Sequence, residues 1–581
     1  MQVPLDSRFL AFTFNRTDAV PQTPPRLTAV ALLLAMLYSA GAAAQIVPNA
    51  PNAGQLLREL QQQPDPMPPK GAPLLPTEER ASPALASDLS FDVSHIRISG
   101  NVSVPTTVLH ALVADLEGSK QTLRNLNAAV ARITAYYREH GYPVTRAYLP
   151  AQEIKDGEVS IAVVEGRISA HQINNQSRLS DARAGAYLDA ARSGEVIRAD
   201  DVDRGLLLLN DTPGVGAARA TLQPGASVGT SDLIVELTPG AAYSGSVDLD
   251  NFGNRYVGEY RLGGSLNINS PLKIGDVLSL NVLTSGSGLN YGRAAYQLPL
   301  GSQGVRVGAA YSLTHYQLGQ EFERLDAHGR ATSASLFASY PFIRSQLTNL
   351  NGTVSLEQKT LSDSVDATST RTDKRVKLIA FGINGSRQDG LAGGGVNSFS
   401  LTVTLGELDI QSPSALLIDA ASARSNGNYV KFGYSLHRLQ RLTDSNYLAL
   451  SLSGQQANSN LDSSEKFSLG GSSGVRAYPQ GEGIGDEGYL ASIEWRHNFS
   501  DMLQATLFYD TGAVRINRTP FGAAADNNRT LSGAGIGLNV NVSAVRVRAS
   551  MAWRTSSERP TSIPDSATRT PTIWVQASLG F

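Results

Sequence analysis

The second half of the chain is dominated by stretches in which apolar and polar residues alternate. Residues 305–313 place Val305, Val307, Ala309, Tyr311 and Leu313 opposite Arg306, Gly308, Ala310 and Ser312. Residues 256–270 and 545–553 alternate in the same way. Because successive side chains of a strand point to opposite faces, this period of two predicts strands with one apolar face. We therefore expect an all-β region over residues 241–581.

The repetition of these strands favours a transmembrane barrel over a soluble sandwich, which would not need so many strands in a row. Alternation over about ten residues with aromatics near strand ends is typical of a barrel with apolar residues outward. The chain ends with Ile573, Val575, Ala577, Leu579 and Phe581 on one face. At about 21 residues per strand and connection, the region predicts a 16-stranded antiparallel barrel. Such a barrel encloses an aqueous lumen unless it is plugged.

Two modules of about 75 residues precede this region, over residues 91–166 and 167–240. Each has the predicted order β-α-α-β-β. In the first we expect a strand at 91–100, helices at 104–118 and 123–142, and strands at 144–150 and 157–166. The second helix ends at Gly141, and Asp156-Gly157 is a typical hairpin turn. The second module repeats this order more weakly, which indicates a repeated domain.

The N-terminal residues contain a secretory leader and a short helix. Arg26 precedes an apolar stretch that ends in Ala42-Ala43-Ala44, so residues 1–44 are predicted to be a signal peptide. The stretch is short for a membrane anchor. Within residues 45–90, residues 51–63 have helix-forming composition, and residues 64–76 form a Pro-rich extended linker. Such a helix can dock elsewhere in the protein, although its spacing alone is equally compatible with a poorly ordered tail.

Composition excludes several classes of function. The 49 basic and 51 acidic residues leave the chain almost neutral, which argues against a nucleic-acid partner. There is no cysteine, so disulfides and thiolate metal sites are excluded. The eight histidines are scattered along the sequence, and we predict no metal site and no cofactor.

Two short motifs suggest chemistry, but their context argues against it. Residues 470–474, GGSSG, match the nucleophile pattern G-x-S-x-G. A nucleophile elbow requires a helix after the serine, whereas Pro479 and several glycines follow here. Residues 533–537, GAGIG, lie within alternating strand residues and not before a helix. We therefore expect no catalysis by Ser472 and no enzymatic activity.

The order of several motifs resembles the two-partner secretion (TpsB) transporters, the haemolysin secretion/activation family. Residues 51–63 are similar to the family's plug helix, and the two modules resemble its POTRA domains. Residues 247–276 resemble its first barrel hairpin, with Ser270 in place of the usual asparagine. Residues 472–489 resemble its long inward-folding loop, and residues 507–514 resemble its F-x-D-x-G wall motif. The resemblance covers nearly the whole mature chain.

This resemblance implies a specific contact inside the barrel. The loop, at about residues 466–488, would fold into the lumen with a tip formed by Val475, Arg476 and Tyr478. Arg476 would pair with Asp510 of the wall motif, in which Gly512 also lies. We expect little apolar area to hold such a loop, and a pair in a wet lumen that contributes about 0–1 kcal/mol. Ala477 stands where the family often has glycine, and a positive φ there would strain it.

The resemblance also implies a function. The chain would be an outer-membrane pore of a Gram-negative bacterium with its POTRA domains in the periplasm. It would recognise a large exoprotein of the haemolysin or filamentous-adhesin type through these domains and translocate it. The other implied partners are outer-membrane lipid and the barrel-assembly machinery, with Phe581 recognised during assembly. The alternative is a barrel-assembly insertase with the same architecture, although that type usually carries more POTRA domains.

Overall fold

The computed structural model describes residues 50–61, 90–189, 195–522, 526–562 and 571–581. Residues Pro51–Phe581 form one compact unit. The predicted signal peptide and the Pro-rich linker lie outside the described residues. Among the described helices, none is both long enough and apolar enough to cross a membrane. The first described helix is α1 (Ala53–Gln61).

The first module packs two helices against a small sheet. Its central strand β5 (Glu158–Val164) pairs in parallel with β2 (His95–Ser99) and antiparallel with β4 (Arg146–Tyr148). Strands β1 (Ser90–Val93) and β3 (Ser119–Thr122) form a separate antiparallel ribbon. Helix α3 buries Leu126, Ile133 and Tyr137 against the sheet, as the helical spacing predicts. Its elements are β1 (Ser90–Val93), β2 (His95–Ser99), α2 (Thr106–Ala111), a 3-10 helix (Ala114–Leu116), β3 (Ser119–Thr122), α3 (Leu123–Glu139), β4 (Arg146–Tyr148) and β5 (Glu158–Val164).

Three local predictions in this module differ from the structure. The strand expected at 91–100 is split at Ser94 into β1 and β2. The helix expected at 104–118 is divided into α2 and the 3-10 helix. Asp156 and Gly157 have the positive φ values of a turn, 54° and 74°. However, β4 and β5 pair through Arg146 and Val164. They are therefore connected by the nine residues 149–157 and not by a two-residue hairpin turn.

The second module repeats the arrangement of the first. Strand β8 lies in the middle of the sheet, parallel to β6 and antiparallel to β7. Val202 and Leu209 of one helix pack with Leu233 and Val235 of the sheet in a single apolar core. The elements are β6 (Arg167–Asn175), α4 (Asp181–Ala186), α5 (Ala199–Asn210), β7 (Val215–Pro224) and β8 (Thr230–Pro239).

The remaining residues form a closed antiparallel barrel of 16 strands, as the alternation predicts. The last strand, β26, pairs with the first, β9, and closes the sheet. The barrel strands are β9 (Tyr243–Asp250), β10 (Arg261–Asn269), β11 (Val277–Thr284), β12 (Leu289–Leu300), β13 (Val305–Gln317), β14 (Ala327–Arg344), β15 (Thr348–Val365), β16 (Thr370–Asp389), β17 (Gly395–Ile410), β18 (Gly427–Arg441), β19 (Asn446–Ala457), β22 (Glu487–Asn498), β23 (Leu503–Arg515), β24 (Asn528–Val542), β25 (Val545–Arg554) and β26 (Thr572–Gly580). The loop between β19 and β22 contains the short strands β20 (Phe467–Ser468) and β21 (Ile484–Gly485), and helix α6 (Pro413–Ala421) lies between β17 and β18.

The two faces of the strands differ as the alternation requires. Tyr311 points outward and is 52% exposed, whereas its neighbour Ser312 and the next inward residue, Thr314, are buried. The prediction of a strand over the whole of residues 256–270 was wrong at its start. Strand β10 begins only at Arg261, and Tyr256 is buried in the preceding loop against Phe322. Tyr256 therefore belongs to the alternating sequence pattern but lies in a loop and not in a strand.

The second module is attached to one end of the barrel, which we call the near end, by charged and polar contacts. Arg344 of β14 donates from Nε and Nη2 to the carboxylate of Asp211 at 2.6 and 2.9 Å. Arg204 donates to the carbonyl of Pro341 at 2.9 Å. Arg183 donates to the carbonyl of Gly301 at 2.9 Å. The helices of the module thus cap the near-end turns of the barrel wall.

Candidate functional site

The loop between β19 and β22, residues 458–486, folds back into the barrel lumen. Strands β20 and β21 pair antiparallel, with Phe467 opposite Gly485. Two further backbone bonds extend this ladder, from Leu469 N to Gly483 O at 3.0 Å and from Gly470 N to Glu482 O at 2.8 Å. The segment is therefore a hairpin and not an irregular loop, which holds its tip at a defined depth in the lumen.

The structure brings Arg476 of this hairpin tip onto Asp510 of β23. The Arg476 side chain donates from Nε to Oδ2 at 2.8 Å and from Nη2 to Oδ1 at 2.7 Å. The backbone N–H of Arg476 also donates to Oδ2, at 3.2 Å. This is a bidentate, charge-assisted arrangement, which fixes both the position and the orientation of the guanidinium group.

Three neighbours of this pair were not singled out from the sequence. Glu494 of β22 contacts Arg476 Nη1 at 2.8 Å through its Oε1. Ser492 donates to Asp510 Oδ1 at 2.7 Å. The guanidinium carbon of Arg476 lies 3.4 Å from the centre of the Phe508 ring. The inward parity of β22 could have identified Ser492 and Glu494, and Phe508 is the aromatic residue of the wall motif itself.

The expectation that the lumen solvates this pair was wrong. The Asp510 side chain is 1% exposed and that of Arg476 is 15% exposed. Removal of one partner from a buried ion pair leaves an uncompensated charge and typically costs about 3–5 kcal/mol. Breaking the contact is therefore much more costly than for a solvated pair.

The expectation of little apolar area around the loop was also wrong. Residues of the loop and of three neighbouring strands, β23, β24 and β25, form a buried apolar cluster inside the barrel. Val475 and Tyr478 are 0% exposed within it, and the Tyr478 hydroxyl lies 2.7 Å from Ser556 Oγ. The cluster consists of Leu469, Val475, Ala477, Tyr478, Phe508, Val514, Leu531 and Ala552. Hydrophobic burial therefore contributes to holding the tip in place.

Two wall glycines make room for the loop. A side chain at Gly512 would meet Leu469 Cδ2 at 2.7 Å, and one at Gly533 would meet Ala477 Cβ at 2.4 Å. Ala477 is not among the residues with positive φ, so the strain expected there does not occur. Gly533, the first residue of the GAGIG motif, thus accommodates the alanine that replaces the family's glycine.

Two buried carboxylates anchor the hairpin, Glu482 at the tip end of its ladder and Asp486 at its base. Glu482 accepts from Arg529 Nη2 at 2.7 Å and from the backbone N–H groups of Thr561 and Ser562. Asp486 is 0% exposed and pairs with Lys466 at 2.9 Å. Neither residue was predicted from the sequence, although acidic side chains within a Gly-rich loop are candidates for such anchors.

Helix α1 lies in the same lumen, between the barrel wall and the loop. Its first N–H, that of Ala53, donates to Asp363 Oδ1 on β15 at 2.8 Å. Asn52 Oδ1 accepts from Ser463 Oγ of the loop at 2.7 Å. Leu56 and Leu57 are buried. The helix thus contacts both the wall and the loop.

A buried charge network lies beneath the helix. Glu465 of the loop is 1% exposed and contacts Lys359 Nζ at 2.7 Å and Lys431 Nζ at 2.6 Å. Asp462 contacts Lys374 Nζ at 2.7 Å. These pairs tie the loop to strands β15, β16 and β18 of the barrel wall.

The remaining predicted positions lie outside this network. Phe581 is 65% exposed on the outward face, and its backbone exchanges hydrogen bonds with Gly245 of the first barrel strand. Ser472 lies in a turn of the hairpin tip, and the residues that follow it up to β21 form turns and bends without a helix. The strand–turn–helix geometry of a nucleophile elbow is therefore not formed at Ser472.

Comparison with known proteins identifies relatives for both parts of the chain. Residues 229–540 match the model of the haemolysin secretion/activation protein family ShlB/FhaC/HecB. Residues 91–166 match the ShlB-type POTRA domain. The chain is 29% identical over 502 residues to the heme/hemopexin transporter protein HuxB of Haemophilus influenzae, covering 84% of this chain and 88% of that one. It is 23% identical over 436 residues to the hemolysin transporter protein ShlB of Serratia marcescens, covering 73% and 75%.

The fold is also found in solved structures. CdiB from Escherichia coli aligns with a TM-score of 0.70 at 20% identity, over 97% of this chain and 100% of that one. A BamA structure from Haemophilus ducreyi aligns with a TM-score of 0.51 at 14% identity, over 84% of this chain and 100% of that one. Since the family model matches more than half of the sequence and the barrel and POTRA domain are both present, the chain belongs to the haemolysin secretion/activation family of outer-membrane transporters.

Proposed function

We propose that this transporter moves a large partner exoprotein with an N-terminal secretion domain, of the haemolysin or filamentous-adhesin type, from the periplasm to the cell surface. The observation that supports this most strongly is the shared occupation of the lumen by helix α1 and the loop of residues 458–486. The two contact each other through Asn52 and Ser463. Both are held by non-covalent contacts, so a client can displace them and open a path through the barrel.

The POTRA domains supply the recognition step in this proposal. The first sheet has its edges at β2 and β4, and the second at β6 and β7. An open sheet edge presents unpaired N–H and C=O groups, to which an extended segment can add as a further strand. A client held unfolded on these edges lies at the near end of the barrel, where the second module is attached through Arg344 and Asp211.

Two further partners are part of the proposal. Outward side chains such as Leu336 and Leu356, which are 59% and 51% exposed, would contact outer-membrane lipid. The terminal Phe581 would be recognised by the barrel-assembly machinery before insertion. Transport along this path breaks no covalent bond, so the proposed role is that of a transporter and not of an enzyme. Folding of the client outside the cell would bias its movement outward.

A secretion assay tests this function against the insertase alternative. The chain is expressed with a large exoprotein that carries an N-terminal secretion domain, in a Gram-negative host that lacks both. We expect the exoprotein in the medium or on the surface only when the chain is present, with the levels of other barrel proteins unchanged. Retention of the exoprotein in the periplasm, together with a fall in other barrel proteins on removal of the chain, would favour the insertase.

A further inference from the structure

Three side chains from separate segments of the first POTRA domain converge at one point, far along the chain from the barrel site. His95 is the first residue of β2, His110 lies in the last turn of α2, and Glu117 follows the 3-10 helix. His95 Nδ1 lies 3.1 Å from Glu117 Oε1, and His110 Nε2 lies 3.0 Å from the same oxygen. Among the residues that the structure describes, these three alone bring three such ligand atoms within 4.8 Å of one another.

From this geometry we infer, against the expectation of no metal site drawn from the sequence, that the first POTRA domain contains a zinc site formed by His95, His110 and Glu117. Two imidazoles and one carboxylate are a ligand set that Zn²⁺ uses in proteins, with water in the fourth position. In a tetrahedral site with ligands about 2.1 Å from the ion, neighbouring ligand atoms are about 3.4 Å apart. The observed separations of 3.0 and 3.1 Å are close to this value. Both nitrogens thus lie near this spacing from the carboxylate oxygen, and all three ligand atoms lie within 4.8 Å of one another.

The hydrogen bonding of the three groups is compatible with this role. The N–H of Ile96 donates to Glu117 Oε1 at 2.6 Å, which fixes the position of this carboxylate. Each neutral imidazole carries its single proton on either ring nitrogen, and a proton on His95 Nε2 and on His110 Nδ1 leaves the converging nitrogens free to bind. In the metal-free tautomer in which the converging nitrogens carry the protons, they donate to Glu117 Oε1, so zinc binding shifts each proton to the far ring nitrogen and exchanges two N–H···O contacts for two Zn–N bonds.

The site is accessible to an ion from solvent, and it lies where three segments of the first POTRA domain meet. The side chains of His95, His110 and Glu117 are 63%, 32% and 22% exposed, so an ion can enter from solvent. Gly118, directly after the carboxylate, donates from its N–H to Val93 O at 2.7 Å. A bound ion would tie the corner between β1 and β2 to helix α2 and to the start of β3. The strand edge at β2 would become more rigid.

Direct metal binding by the full-length chain tests this inference. The protein is purified in detergent without a polyhistidine tag and titrated with ZnCl₂ by calorimetry and by competition with a chromogenic chelator. We expect one Zn²⁺ per chain, and a tetrahedral absorption spectrum when Co²⁺ is used instead. His95→Ala, His110→Ala and Glu117→Gln should each weaken binding at least about tenfold, because each removes one ligand. Glutamine at 117 still accepts the hydrogen bond from Ile96.

His171→Ala is the matched control, since His171 is an exposed histidine of the second POTRA domain. Its affinity for Zn²⁺ should equal that of the unaltered chain. Failure of the unaltered chain to bind one equivalent of Zn²⁺, or binding that all three ligand variants retain, overturns the proposal. If His110→Ala or Glu117→Gln disturbs folding, as judged by thermal unfolding, His95→Ala decides the outcome, because that side chain is largely exposed.

Discussion

Arg476 combines three kinds of contact on a single guanidinium group. It binds Asp510 in a bidentate manner, contacts Glu494 through its third nitrogen, and stacks on the ring of Phe508. A lysine ammonium offers a point charge without this planar fork. The position therefore requires arginine for geometric reasons and not only for its charge.

We predict that Arg476→Ala and Asp510→Ala each impair client secretion while leaving barrel assembly intact. Their losses should not add, because either change breaks the same contact. Arg476→Lys should restore little. Arg476→Ala should have the larger effect, since Arg476 keeps Glu494 as a partner when Asp510 is removed. The measurement is a double-mutant cycle on secreted client, normalised to barrel abundance.

Arg515→Ala provides the control for this cycle. Arg515 lies on the same strand as Asp510, but its contact with Glu487 is 3.6 Å long and its side chain is 38% exposed. An exposed pair of this kind contributes about 0–1 kcal/mol, so secretion should change little. Independent, additive losses at Arg476 and Asp510 would remove the pairing from the account of transport.

Helix α1 has nine residues and is too short to be stable alone in water. Its contacts with the barrel therefore determine its stability. The two leucines Leu56 and Leu57 are its main buried apolar side chains, and each contributes about 1.5–3 kcal/mol on burial. The N–H of Ala53 adds one hydrogen bond to Asp363. These contacts are all non-covalent, and the proposed function requires that a client displaces them.

Deletion of residues 51–63 should raise single-channel conductance in planar bilayers, because it removes the helix from the lumen. Gly54→Leu should have a similar effect. The backbone at Gly54 approaches Ser463 and Ser464 so closely that an added Cβ would lie 2.9 Å from their atoms. A leucine there prevents docking without shortening the chain. Conductance identical to that of the unaltered pore would mean that the helix does not obstruct the ion path.

Closure of the whole barrel depends on a short seam between its first and last strands. The pairing of β26 with β9 runs from Gln576 opposite Asp250 to Gly580 opposite Ser246. Phe581 extends it by two backbone hydrogen bonds to Gly245, at 3.0 and 3.1 Å. The ring of Phe581 also lies over Gly245, where an added side chain would meet it at 2.8 Å. The terminal residue thus belongs to the seam.

Deletion of Phe581 should reduce the amount of heat-modifiable, assembled barrel, because it removes both the terminal aromatic and two seam hydrogen bonds. Assembly is measured by the shift in gel mobility between unheated and heated membranes. Phe499→Ala is the control, since Phe499 is 64% exposed and Phe581 is 65% exposed, but Phe499 lies in a turn away from the seam. Unchanged assembly after deletion of Phe581 would contradict a role of this residue in insertion.

Local pattern was sufficient for the architecture of this protein. An apolar outer face and a polar inner face impose a period of two on barrel strands, so alternation predicted a barrel over residues 241–581, and the length of this region predicted 16 strands. The helical period predicted α3 in the same way. The helix ends at Glu139, and Gly141 follows with the positive φ of 86° that is common just after a helix end. The pair of Arg476 and Asp510 was predicted from family motifs, and its atomic contacts are now visible.

The environment of that pair could not be predicted, because it depends on segments far apart in the sequence. Whether Asp510 is solvated or buried is determined by the hairpin that packs over it, and the sequence near Asp510 contains no record of that packing. The roles of Glu494, Glu482 and Ala477 likewise arise from contacts across strands. The alternating pattern also predicted a strand from Tyr256 onward, whereas the residues before Arg261 form a loop that happens to have the same period of two. The period of two in the sequence predicts which side chains face outward and which face the lumen. It cannot predict which distant segments occupy the lumen, because that depends on contacts between residues far apart in the sequence.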